Sequence, residues 1–118
     1  MSKPVGPYTP VVRAGEWLVV SGQLGVKDGK LAEGVAAQTA QAVANLAGQL
    51  DSEGASLKDV VKTTVFLADI DDYAEVNEAY SKAFGDHRPA RSAVAVAGLP
   101  MGGLVEIEAW ARPSAGAK

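Results

Sequence analysis

The sequence predicts an α+β domain of order ββαβαββ, in which two helices cover one face of a sheet. Three observations predict it: β-branched or alternating apolar runs, two stretches with helical apolar spacing, and Gly, Asp and Pro punctuation between them. Residues 11–13 and 17–23 are β-rich and flank Ala14, Gly15 and Glu16, which suggests a hairpin, while Asp28-Gly29 marks a second turn. A helix is expected over 35–52, with Ala36, Ala40, Val43, Ala47 and Leu50 on its apolar side and Gln38, Gln41, Asn45 and Gln49 largely opposite. Gly54 ends it. The run 60–68 holds Val60, Val61, Thr63, Thr64 and Val65, whose stiff side chains suit a central strand. A second helix starts near Asp72, where Glu75 completes a capping-box pattern, and carries Tyr73, Val76, Tyr80 and Phe84 as its stripe. Gly85 closes it and Pro89 prevents its resumption. Strands over 90–97 and 104–111 follow, joined by the Gly-rich stretch 98–103.

Composition excludes several function classes. Eleven Lys and Arg against 14 Asp and Glu give 118 residues a net charge of -3, with 47% hydrophobic and 21% charged residues. That balance belongs to a single globular domain spanning 1–118, not to a disordered chain. With a pI near 5.0 and no Lys/Arg run, nucleic acid is a disfavoured partner. No cysteine is present, which removes disulfides, thiolate metal sites and a Cys nucleophile. The start of the chain lacks the apolar core of a secretory signal, so a cytoplasmic location is expected. The uncharged stretch 93–105 contains Pro100 and is too short to span a bilayer, so no membrane partner is expected.

Two helices leave the second sheet face uncovered, yet Trp17 and Val19 alternate with Leu18 and Val20, and Val94 and Val96 with Ala93 and Ala95. Another subunit is therefore expected on that face, making the chain an obligate oligomer with sites between subunits.

His87 is the only histidine and sits in a polar loop, where a solvated turn is a simpler reading than acid-base work, which needs a positioned partner. Asp69, Asp71 and Asp72 read more simply as a helix cap than as metal ligands, and no metal site is expected. Arg91 begins an otherwise apolar strand and presents a rigid fork suited to a carboxylate. Its partner is either an anionic ligand or the side chain of Glu106 or Glu108. Those two acids share one face of the last strand by the period of two, opposite Val105, Ile107 and Ala109, as a solvated face or an acid-base pair. Ser21, Gly22 and Gln23 end a hydrophobic strand with hydrogen-bonding groups and a close-approach glycine, equally readable as a bulge. Tyr8 lies in an amino-terminal arm, where docking onto the core is its plain structural role.

Gly6-Pro7-Tyr8, Ser21-Gly22-Gln23, the stretch 61–67, Val76-Asn77-Glu78-Ala79-Tyr80, Pro89-Ala90-Arg91-Ser92 and Glu106-Ile107-Glu108-Ala109, in this order, resemble the Rid (YjgF-like, reactive intermediate deaminase) family over almost the whole chain. The resemblance implies a chorismate-mutase-like α+β fold, a mixed sheet with two helices on one face, assembled as a homotrimer with intersubunit clefts. It implies hydrolysis of 2-imino and 2-enamino acids to 2-keto acids and ammonia, without cofactor or metal. It matches Arg91 to the residue gripping the substrate carboxylate and Glu106 to the one positioning water, with Tyr8, Ser21, Gly22, Asn77 and Ala93 around the pocket. Ala93 stands where the family commonly has cysteine, and the loop 85–88 is shorter than in archetypal members. Alternatives are a non-catalytic binder of small carboxylates, an endoribonuclease or translation inhibitor, and a chorismate-mutase-like rearrangement.

Overall fold

The computed structural model describes residues 6–114. Strands β1 (Val11–Ala14) and β2 (Trp17–Leu24) form the expected hairpin, Gly15 supplying a left-handed φ of 62° in the turn. A short hairpin of β3 (Val26–Lys27) and β4 (Lys30–Leu31) turns at Asp28 and Gly29, with φ values of 54° and 81°. Helix α1 (Val35–Asp51) leads to β5 (Val60–Leu67), α2 (Tyr73–Phe84), β6 (Ala90–Ala95) and β7 (Val105–Ala111). The five-stranded sheet has order β1-β2-β7-β5-β6. Only the β5·β6 pair is parallel, because α2 provides the crossover that such pairing requires, so the sheet is mixed.

Both helices lie on one face. Leu18 and Val20 of β2, Val65 and Leu67 of β5, and Val105, Ile107 and Ala109 of β7 are buried there with Val43, Leu46 and Leu50 of α1 and Val76 of α2. The opposite face takes the alternate residues. It is more mixed than the sequence suggests: Val12, Val94 and Trp110 are 47%, 45% and 46% exposed, but Lys62, Thr64, Glu106 and Glu108 stand among them. Trp17 and Trp110 meet edge to face at 6.3 Å. No helix among the described residues is long and apolar enough to cross a membrane.

The buried stripe of α1 is rotated from the expected one. Ala40 is exposed, whereas Gln38 and Gln49 are buried beside Thr39, Ala42 and Val43. Gln38 earns its burial by hydrogen bonding: its Nε2 donates to the Ala32 carbonyl (3.0 Å) and its Oε1 accepts from the Leu104 amide (2.9 Å), tying the entry of α1 to the start of β7. Asn45 likewise donates to the carbonyls of Leu24 and Val26. At the second helix the expected capping box at Asp72 does not form. Asp69 instead accepts from the Asp71 amide (2.9 Å) in a 3-10 turn, Ile70–Asp72, that precedes α2, and the capping box occurs at Ser56 and Asp59. The strands expected over 90–97 and 104–111 are shorter, ending at Ala95 and beginning at Val105.

Candidate functional site

Arg91 is placed by the parallel register of β6 on β5, which pairs it with Thr63 on the helix-covered face. There it reaches α2. Its Cζ lies 5.0 Å from the Tyr80 ring centre and 5.6 Å from that of Tyr73, and its Nη2 donates to the Tyr73 hydroxyl at 3.2 Å. Tyr80 is itself fixed by a 2.7 Å hydroxyl–hydroxyl bond to the fully buried Thr63. Burial pushes the Tyr80 phenol up, against the downward pull of its bond to Thr63 and of the nearby Arg91 and Arg88 charges. Two aromatic faces thus hold a guanidinium that has no carboxylate partner among the described residues. Asn77 is one turn from Tyr73 on the same helix, and its Oδ1 is buried without a hydrogen-bond partner among the described residues. Ala93 follows Arg91 on the same face and packs against the core.

Glu106 sits elsewhere. On β7 it pairs with Phe66 and with Leu24, on the face that the helices leave open. The β2 bulge between Val20 and Gln23 brings Gly22 against it so closely that a Cβ on Gly22 would lie 2.8 Å from the carboxyl carbon. This is the reason for a glycine there. Burial pushes the Glu106 carboxyl above its ordinary range, and the neighbouring Glu108 charge pushes it the same way. Ser21 donates its hydroxyl to the Thr9 carbonyl (2.7 Å), and its amide bonds Pro10, so the amino-terminal arm is fastened to this edge of the site. Tyr8, just before it, is 43% exposed instead of docked on the core.

The structure therefore divides the candidate residues into two groups. Arg91, Asn77 and Ala93 belong to the α2–β6 edge; Ser21, Gly22 and Glu106, with Tyr8 on the attached arm, belong to the β2–β7 pair. Within one chain an Arg91 salt bridge to Glu106 or Glu108 does not form, since the residues face opposite sides of the sheet. His87 is structural: its Nε2 meets the Val60 carbonyl at 2.7 Å and anchors the loop after α2 to the start of β5. Among the described residues no group of three or more His, Cys, Asp and Glu side chains could hold a metal. Sequence reasoning assigned Tyr73 and Tyr80 only to a packing stripe. The signal that could have found their role is their seven-residue spacing, two turns of α2 on one face, opposite a strand that begins with an arginine.

The architecture is that of the YjgF-like class of α+β proteins. A family model described as Endoribonuclease L-PSP matches residues 1–112. A RutC family protein of Pyrococcus horikoshii is 44% identical over 112 residues, covering 92% of this chain and 89% of the relative. The 2-iminobutanoate/2-iminopropanoate deaminase of Salmonella typhimurium is 43% identical over 112 residues, covering 91% and 88%. Among solved structures, E. coli TdcF with bound serine superimposes with a TM-score of 0.90 at 36% identity, covering 94% of this chain and 91% of that one. The chain belongs to the endoribonuclease L-PSP family, the YjgF/Rid group that its motifs resemble.

Proposed function

We propose that this protein hydrolyses small 2-imino acids, and the 2-enamino acids that tautomerise to them, to 2-keto acids and ammonia, as a homotrimer whose sites are shared between subunits. The observation that carries the reading is an arginine held by Tyr73 and Tyr80 with donors to spare for a carboxylate. In the reaction, Arg91 of one subunit binds the substrate carboxylate, and Glu106 of another accepts a hydrogen bond from a water. The water oxygen adds to the imine carbon as its proton passes through Glu106 to the nitrogen. The resulting carbinolamine breaks its C–N bond as its hydroxyl proton passes through the same carboxylate to the departing nitrogen, so ammonia leaves and the carbonyl forms. A carboxyl pushed above its ordinary range is a better base for this than an unperturbed one, and the protonated imine needs no covalent nucleophile. The deaminase name of the Salmonella relative supports the same reading.

The test couples a dehydratase that releases aminoacrylate to this protein and follows pyruvate. Acceleration above spontaneous hydrolysis is expected, and its absence would sink the enzyme reading. The serine bound to TdcF favours one rival, a binder of small carboxylates that performs no chemistry. Calorimetry with a 2-keto acid beside the turnover assay separates the two. An endoribonuclease reading, despite the family's description, finds little in a net charge of -3 and a sole histidine engaged by a backbone carbonyl.

A further inference from the structure

Tyr73 and Tyr80 flank the same guanidinium but differ in what their hydroxyls have left to offer. Tyr80 is buried and its hydroxyl is engaged by Thr63. Tyr73 is 43% exposed, its hydroxyl accepts from Arg91 Nη2 at 3.2 Å, and its own proton has no acceptor among the described residues. A phenol both donates and accepts, so this proton is available beside the one Arg91 nitrogen it already contacts.

We propose that Tyr73 is a ligand-binding residue whose hydroxyl donates to the same carboxylate that Arg91 binds. This rests on the reading of Arg91 as the carboxylate site. The guanidinium fork supplies two parallel donors and the phenol a third, and each carboxylate oxygen has lone pairs for more than one hydrogen bond. Arg91 holds the phenol oxygen in place, and the ring face helps hold the guanidinium, so the clamp is formed before the ligand arrives. The ligand selectivity follows: a carboxylate binds, whereas the corresponding amide turns a donor NH2 group toward donors and is rejected.

Calorimetry with pyruvate tests this on the wild-type chain, Tyr73→Phe and Arg91→Ala, with pyruvamide as the uncharged control. Tyr73→Phe keeps the ring and removes only the hydroxyl; it is expected to weaken pyruvate about tenfold, as for a lost hydrogen bond to a charged group. Pyruvamide is expected to bind both chains equally poorly, and in turnover the loss should fall on KM more than on kcat. Equal pyruvate affinity of wild type and Tyr73→Phe would overturn the role of Tyr73 and leave Arg91 intact. No pyruvate binding by the wild type would overturn the Arg91 site and this proposal with it. Tyr73-dependent pyruvate binding in a protein that turns over no imine supports the clamp and overturns only the deaminase.

Discussion

Arg91 and Glu106 face opposite sides of one sheet, because Arg91 pairs across β5 with Thr63 and Glu106 with Phe66, an odd number of residues along the same strand. The buried Thr63 marks the helix face and the half-buried Phe66 the open one. Two side chains so divided act on one small molecule only if they come from different copies of the chain. The trimer proposed above satisfies that condition, since a rotation that covers the open face of one subunit brings the edge of another against it.

Complementation tests the division directly. Arg91→Ala and Glu106→Gln are each expected to be inactive, yet a mixture dissociated and reassembled should regain activity. In a three-fold ring built from equal amounts, every mixed trimer holds one intact site, so about a quarter of wild-type activity should return. No recovery, with mixed trimers shown by mass spectrometry, would place both residues in the same subunit's site or remove one from it.

Arg91→Lys is expected to cost roughly 10- to 100-fold in kcat/KM, because an ammonium lacks the planar fork and stacks less well on Tyr73 and Tyr80. The fold should be unaffected, with unchanged circular dichroism and oligomeric mass. Steady-state kinetics with a coupled imine source would read it.

Gly22→Ala introduces a Cβ 2.8 Å from the Glu106 carboxyl carbon, and the flexible end of the glutamate must move. The expected result is a loss of roughly tenfold to a hundredfold in kcat from a misplaced carboxylate, with little change in urea midpoint. Retained kcat would show that Glu106 does not need its observed position.

Glu106 also makes a pH prediction with a definite sign. Its folded pKa is raised, by burial and then by Glu108, so the folded state binds its proton more tightly than the unfolded state. The associated stability is fully present below the unfolded pKa and is lost as pH rises through the higher folded one. Urea unfolding of wild type and Glu106→Gln should therefore show the variant gaining relative stability between acid and neutral pH. In turnover, the acid limb of kcat/KM should fall above the usual glutamate range. A constant stability difference across that window would contradict the perturbation.

Thr63→Val removes the hydroxyl that bonds Tyr80 inside the core and leaves the phenol unpaired. A loss of about 1–3 kcal/mol is expected from urea denaturation, accompanied by weaker carboxylate binding because one of the two rings holding Arg91 loses its anchor.

The order of elements was legible in the sequence because each local signal agreed with the fold: β-branched runs at β5, the Asp28-Gly29 turn, and Gly85 after α2. Period two alone also separates Glu106 and Glu108 from Val105, Ile107 and Ala109 within β7. The same rule says nothing about how one strand's faces align with another's. That alignment was decided by the α2 crossover, which sets the parallel register of β6 on β5 and turns Arg91 toward Tyr73 and Tyr80, away from Glu106. Gln38 shows the same limit: a polar residue reads as solvent-facing until a carbonyl at Ala32 and an amide at Leu104, 66 positions away, satisfy both ends of its amide. Local propensity and periodicity act over a few residues and are written in the chain; hydrogen-bond partners and shared faces come from segments distant in sequence, and only their packing brings them together.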